Sequence, residues 1–289
     1  MPYTTGRMVL RQTPIWDPSF IETALWLDAA DASTITETAG TVSQWDDKSG
    51  NGYNATAFGD PQINQTGSST GLPAIELDGT GDYFISSVTG LQSFTDLEVF
   101  FVGQSTAAAN INTNSWMVFT FGNFNPAWSI YPENRCIGYL STTSAFEDEY
   151  SVSCGYGRFG VAERLGSSTY RRTANTAVIE STSYSTSGHT FFQNGTAVGL
   201  DLSDGGVTVS SDFSPASTGY TVDDDLCLGM VKAGAIVPTP AMKFSEFVAL
   251  PTVASTEDRQ KMEGYLAHKW GLTASLPGGH PYENVPPAP

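Results

Sequence analysis

Along most of the chain, apolar residues alternate with polar ones or come in short runs that Gly, Asn, Asp and Pro interrupt. That period of two predicts strands. Residues 24–28 (Ala-Leu-Trp-Leu-Asp) read as a first buried strand, and residues 40–45 as a short second one after a turn. In residues 73–78, Ile75 and Leu77 fall on one face and Glu76 on the other. Asp78-Gly79 then turns the chain, and Tyr83-Phe84-Ile85 resumes a strand. Residues 97–102 and 116–121 are the most apolar and are expected at the centre of the fold. Between residues 122 and 166 the alternation loosens, which predicts long loops or an inserted hairpin. It returns at 176–180. Residues 190–193 and 196–198 flank Asn194-Gly195, a strong two-residue hairpin signal. Residues 226–229 and a strand starting at Met242 complete the set.

One stretch departs from this pattern. Met262, Tyr265, Leu266 and Trp270 stand at helical spacing. Ser255 is placed to cap that helix, with Asp258 three residues on, and Gly271 supplies a left-handed stop. A helix with one apolar face in a strand-rich chain must cover a sheet. The expected fold class is all-β: roughly ten to fourteen strands in a two-sheet antiparallel β-sandwich of jelly-roll type, closed by one C-terminal helix. Residues 1–20 read as an N-terminal arm, 21–275 as the sandwich with a loose insertion over about 122–175, and 276–289 as a proline-rich tail lying on the surface.

The chain of 289 residues is 40% hydrophobic, enough for a sizeable core, and its 30 acidic against 13 basic residues give a net charge of −17. Phosphate would be repelled, so nucleic acid is not an expected partner, and an anionic membrane surface is disfavoured too. No apolar run is long enough to span a bilayer, and the N-terminal stretch shows no signal-peptide pattern, so synthesis and folding in a cytosol are expected. Cys136, Cys154 and Cys227 have no metal spacing, and His189, His268 and His280 are scattered.

Three groups of residues carry candidate chemistry. Asp47-x-Ser49-x-Asn51-Gly52 copies the first half of a calcium loop, but its twelfth position is Phe58 rather than Glu. Asp47, Ser49 and Asn51 are therefore weak calcium candidates, set against a turn held by side-chain bonds to nearby backbone. Asp223-Asp224-Asp225 is a second weak cluster. In residues 124–131, Trp128 and Tyr131 beside Asn125 suit a sugar, whose C–H faces pack on aromatic rings while its hydroxyls need amide partners. Met8, Leu10, Ile15 and Trp16 make the arm too apolar for a free tail, so it is expected to dock on its own domain or on a neighbour, which makes them candidate partner contacts.

The segments LWLDAADASTIT, VSQWDDKSGNGYNATA, PAIELDGTGDYF, HTFFQNGTAVG and KFSEFVALPTVASTEDRQKMEGYLAHKWGL with LPGGHPYENVPP follow one another in this order. Together they resemble the concanavalin A-like, laminin G-like jelly-roll domain, in the version found in bacteriophage virion proteins and bacterial surface proteins. The likeness runs over about residues 16–287, with a gap over the loose middle. It implies a sandwich whose members often bind carbohydrate or protein, sometimes with calcium. Glucanases of this fold carry Glu-x-Asp-x-(x)-Glu. Here Glu76-Leu77-Asp78 is followed by Gly79, Thr80 and Gly81, and Asp82 comes after a turn, so no catalytic residue is expected. Glu246 stands where the laminin G-like pattern has an acidic residue and is read as structural, bonded to amides at the helix start or to Lys243.

The function this implies is that of a phage virion structural protein, a capsid decoration or a tail or fibre component, displaying a lectin-like sandwich towards host glycan. Its expected partners are other virion proteins, further copies of itself and a host surface glycan, without nucleic acid, membrane insertion or any cofactor beyond the weak calcium candidates. A soluble carbohydrate-binding module outside a virion is the alternative, and a glucanase-type hydrolase a less favoured one.

Overall fold

Leu97–Ser105 and Met242–Leu250 are buried on both faces along almost their whole length, and the layering follows from that. The computed structural model of the 289-residue chain describes residues 15–64, 71–88, 96–105, 116–121, 135–140, 151–154, 157–158, 161–162, 173, 175–185, 188–199, 225–232, 236–238 and 241–289. Among these, the strands are β1 (Leu25–Asp28), β2 (Ile35–Thr38), β3 (Thr41–Trp45), β4 (Ala55–Phe58), β5 (Gln62–Asn64), β6 (Ala74–Leu77) and β7 (Tyr83–Ser87). They continue with β8 (Leu97–Ser105), β9 (Trp116–Phe121), β10 (Arg135–Leu140), β11 (Ser151–Cys154), β12 (Gly157–Arg158), β13 (Val161–Ala162) and β14 (Ala177–Ser185). The last are β15 (Gly188–Gln193), β16 (Thr196–Ala197), β17 (Asp225–Leu228), β18 (Met230–Lys232), β19 (Ile236–Pro238) and β20 (Met242–Leu250), followed by the helix α1 (Thr256–Trp270).

Every strand pair is antiparallel. One layer runs β6-β20-β8-β14-β15-β16, with β1 beside the second half of β20. The other runs β11-β10-β9-β17-β7-β4-β3. β3 joins them, because Gln44 and Trp45 pair with β4 while Thr41 pairs with β5, which in turn pairs with β6. The expected all-β sandwich with one C-terminal helix is what forms. It holds more strands than expected: β2, β4 and β5 are only three or four residues long, and β10 to β13 fall inside the stretch read as loose. There, β10 and β11 pair as a hairpin that extends the second layer.

Between the layers lies one core, which includes Leu25, Leu27, Trp45, Phe84, Phe101, Phe119, Leu228, Phe244 and Phe247. Between the first layer and α1 lies a second, with Trp16, Trp26, Phe100, Val102, Ile179, Val248, Met262, Leu266 and Trp270. Alternate residues of β8 therefore serve different cores: Leu97, Val99 and Phe101 face the other sheet, and Phe100 and Val102 face the helix. β20 does the same with one interruption. Met242 and Phe244 face the sandwich core, as do Phe247 and Ala249, so the parity flips between them. The cause is a bulge, since Phe244 pairs with Gly103 and Glu246 with the adjacent Val102. The bulge turns Glu246 towards the helix, on the same face as Val248 and Leu250.

α1 begins and ends as its sequence predicts. The Ser255 Oγ accepts from the Asp258 backbone N–H at 3.1 Å and donates to the Asp258 carboxylate at 2.8 Å, and Gly271 closes the helix at φ 68°. The helix sits on Glu246, which is fully buried. One Glu246 oxygen accepts from the Trp26 indole N–H at 2.7 Å and the Tyr265 hydroxyl at 2.9 Å; the other accepts from the Trp270 indole N–H at 2.6 Å and the Lys269 ammonium at 2.8 Å. Lys269 also meets Asp28 at 2.7 Å, and Lys48 bridges Asp28 and Asp31 at 2.7 and 2.8 Å. Glu246 is thus structural, but its partners lie in the last turns of α1 and in β1. Neither the helix-start amides nor Lys243 hold it; Lys243 pairs with Glu76 at 4.0 Å.

The carboxylate near the helix start is Glu98 of β8, which accepts from the Ala254 N–H at 2.8 Å. Burial pushes its pKa up to about 7, with the Glu263 charge adding to the shift and the Ala254 N–H and Arg259 opposing it. The tail runs back over α1. The His280 Nδ1 accepts from the Tyr282 N–H, so its Nε2 carries the proton donated to Glu263 at 3.1 Å, and Glu263 also pairs with Arg259. Tyr282 lies on Gly264, where an added Cβ would stand 2.5 Å from the tyrosine Cβ. The Trp16 N–H donates to the Pro287 carbonyl at 3.1 Å, so the described start and end of the chain meet.

Two outcomes follow from this packing. Glu98 is protonated more readily folded than unfolded, so its contribution to stability is fully present below its ordinary value of 4.5 and is lost as pH rises through about 7. Denaturant unfolding from pH 5 to 8 is expected to show declining stability, with Glu98→Gln flattening that decline. In Gly264→Ala, the gain in helix propensity of about 1 kcal/mol is outweighed by overpacking of about 1–3 kcal/mol. That variant should melt lower than the parent, and the deficit should shrink in the Gly264→Ala/Tyr282→Ala double variant.

Candidate functional site

The turn after β3 brings Asp47, Ser49 and Asn51 together, as their spacing suggests. One Asp47 oxygen accepts from the backbone N–H groups of Trp26 at 3.0 Å and Ser49 at 2.8 Å. The other accepts from the Ser49 hydroxyl at 2.7 Å and the Tyr53 N–H at 3.1 Å. The Asn51 amide donates to the Ala24 and Thr23 carbonyls at 2.9 and 3.2 Å. These residues therefore fasten the turn to the start of β1, and the Asp47 carboxylate is satisfied by hydrogen-bond donors. A cation here would have to displace those donors.

A different group of carboxylates gathers where the turns after β4 and β6 meet the start of β7. Asp60, Asp78 and Asp82 each place a carboxylate oxygen within 4.8 Å of the others. Asp82 is buried, and its two oxygens accept from the N–H groups of Asp60 at 2.8 Å and Asp78 at 3.0 Å. Burial raises its pKa, against those two N–H bonds and with help from the charges of Asp78 and Asp60. Asp78 is exposed and folds its own turn, accepting from the Thr80 N–H at 2.7 Å and the Thr80 hydroxyl, which hold its pKa down. Asp60 is exposed beside it. The three could hold a cation in their spacing, but Asp82 is engaged in joining two turns.

Beside this cluster, Phe58 and Tyr83 pair across β4 and β7 and stack with centroids 4.7 Å apart and planes 8° from parallel. Tyr83 is buried, while Phe58 is 40% exposed. The sequence reading missed this arrangement. Phe58 was visible only as the residue that spoils a calcium loop, and its partnership with Tyr83 depends on a strand register that spacing alone does not give.

The two acids of the Glu76-x-Asp78 pair have separate local partners. Glu76 is half-buried and faces Lys243, Asp78 serves its turn, and Asp82 is hidden from any substrate. A glycosidase needs two carboxyl groups that flank a bound sugar. Asp225 accepts from the Ser87 hydroxyl at 3.0 Å, while Asp223 and Asp224 lie outside the described residues. Asn125, Trp128 and Tyr131, the candidate sugar platform, also lie outside them, as do Met8 and Leu10 of the arm. Of the remaining arm residues, Ile15 is 54% exposed. Trp16 is not free for a partner: it is buried in the helix-side core, edge-on to Tyr265 with ring centroids 6.2 Å apart.

No known family profile matches the chain, and no curated protein matches it in sequence. Solved structures do share its fold. The binding domain of botulinum neurotoxin serotype D/C aligns over 85% of this chain and 52% of its own length, with a TM-score of 0.53 and 12% identity. Botulinum neurotoxin type C, whose passage into cells depends on interaction with two ganglioside molecules, aligns over 85% of this chain and 51% of its own, at a TM-score of 0.50 and 11% identity. Trypanosoma rangeli sialidase, solved with sialic acid, aligns over 85% of this chain and 33% of its own, at 0.53 and 8%. The chain spans about half the length of the toxin structures and a third of the sialidase. At these identities the likeness is one of fold alone.

Proposed function

We propose that this chain is a glycan-binding, lectin-like sandwich without catalytic activity, displayed as a structural component of a phage virion. The observation that carries the glycan reading is the fold it shares, across most of its length, with botulinum neurotoxin type C, whose cell entry depends on two ganglioside molecules, and with the sialidase solved with sialic acid. Fold alone does not assign a ligand. The chemistry of the chain adds support: Trp128 and Tyr131 beside Asn125 offer the stacking and amide groups a sugar needs. The virion setting is supported by the likeness of the ordered motifs to phage virion domains and by the net charge of −17, which suits a module held in solution. Many copies on one particle would let weak sugar contacts add up.

The proposed binding takes no calcium from the turn after β3, where the Asp47 carboxylate is already satisfied by its donors. A glycan array probed with the full chain is expected to give the same positive spots with and without chelator. Trp128→Ala should lower binding by about tenfold, the scale of one aromatic contact. Binding unchanged by that substitution would remove the loop from the site. Mass spectrometry of purified particles should detect the chain; its absence, with glycan binding retained, would favour the soluble lectin. Incubation with β-glucan should release no product. Turnover abolished by Glu76→Gln would restore the hydrolase reading.

A further inference from the structure

The buried charges under the end of α1 are arranged for chemistry as well as for packing. Asp28 and Glu246 face each other across the β1–β20 pair, and Lys269 reaches both from the last turn of the helix. The Lys269 ammonium donates to Asp28 Oδ1 at 2.7 Å, to Glu246 Oε2 at 2.8 Å and to the Tyr265 hydroxyl at 3.0 Å. Asp28 Oδ1 also accepts from the Ala30 N–H at 3.1 Å, while Oδ2 faces the Lys48 ammonium at 2.7 Å. Glu246 is fully buried and Asp28 is 3% exposed. The Lys269 nitrogen lies 5.3 Å from the ring centroids of both Tyr265 and Trp270. A primary amine, a carboxyl group and a second, desolvated carboxyl group thus meet at one place, among aromatic rings.

We propose that Lys269 and Asp28 condense into an intramolecular isopeptide bond that joins α1 to β1, with Glu246 as the proton carrier. The inference concerns the scaffold and stands apart from the glycan-binding reading. One ammonium proton passes along the existing hydrogen bond to Asp28 Oδ1, which frees the lone pair on Nζ. That pair attacks the Asp28 Cγ, and the charge of the tetrahedral intermediate falls on Oδ2, against the Lys48 ammonium. Glu246 takes a second proton from the nitrogen and returns it to Oδ1; the Cγ–Oδ1 bond breaks and Oδ1 leaves as water. An ammonium and a carboxylate are consumed, one amide and one water are formed, and Glu246 ends as it began. Burial, helped by the charge of Asp28 and opposed by Lys269, raises the Glu246 pKa, which suits a group that must hold a proton. The fold keeps the reactants together, and the amide removes two charges from a place poor in water. Lys48 is not the nucleophile. Its other partner is Asp31, whose pKa it holds down to about 2, so that carboxylate does not carry protons.

The test is the intact mass of the folded full chain, measured after denaturation and followed by peptide mapping. The parent is expected to be one water lighter than its sequence requires, with the loss mapping to a branched peptide that joins Asp28 to Lys269. Lys269→Arg keeps a cation between the two acids but has no primary amine, so it should fold and show the full sequence mass. Glu246→Gln keeps the shape and removes the proton carrier, and it should show the full mass too; if it does not fold, the comparison with Lys269→Arg decides. A succinimide at Asp78-Gly79 would also cost one water, but mild alkali reopens it and leaves an amide intact. Full sequence mass in the folded parent would overturn the proposal and leave an ion-pair network. A loss that alkali reverses, that persists in Lys269→Arg or that maps to Lys48 would overturn it as well. A bond formed undiminished in folded Glu246→Gln would overturn the role given to Glu246.

Discussion

A carboxylate sealed between a sheet and a helix is tolerable only when donors surround it, because an unpaired charge in such a place costs several kcal/mol. Glu246 meets that condition with two indole N–H groups, a phenol and an ammonium, drawn from β1 and from the last turns of α1. The donors are far apart in sequence, and they converge only if β1, β20 and α1 are all in place. A helix slid by one turn along the sheet would strand the carboxylate and its donors together. Burial pushes the Glu246 pKa up, with Asp28 adding to the shift and Lys269 opposing it, so the site is poised on its partners. The apolar surface around it supplies the bulk of the attraction, and the polar centre supplies the register.

The bulge in β20 makes this arrangement possible. Without the extra residue at Ser245, the strand would keep one parity from Met242 to Leu250, and either Phe244 or Phe247 would leave the sandwich core. With it, a single strand serves the sandwich core through both of its halves and still turns an acid towards the helix. The opposing residue is Gly103, where a Cβ would collide with the Phe101 ring at 2.0 Å. Bulge, glycine and acid act as one device, which fits the tendency of bulges to re-aim a particular side chain.

Much of this was legible in the sequence. Ser255, Asp258 and Gly271 marked the ends of the helix, and Asn194-Gly195 marked its hairpin, because caps and tight turns are set by local chemistry. The alternation in β6 and the apolar runs of β8 and β9 announced a sandwich. Glu246 was legible as structural, but its partners were not, since Trp26 is 220 positions away along the chain. β2, β4 and β5 escaped notice because three or four residues are too few to show a period, and β14 runs on through Ser181 and Ser183, which are buried by neighbouring strands rather than by hydrophobicity. The stacking of Phe58 on Tyr83 beside Asp60, Asp78 and Asp82 escaped for a related reason. A ring and three carboxylates from separate turns become neighbours only through strand register, and register depends on the whole sheet.

The hydrogen bond from Trp16 to Pro287 has a mechanical consequence. Both ends of the described chain leave the domain from one corner, on the helix side, while Phe58 sits on the outer face of the opposite sheet. A load entering at one end and leaving at the other would pass through that corner alone and never stretch the sandwich. Force applied between Trp16 and Pro287 would therefore bypass the strand ladders of the sandwich.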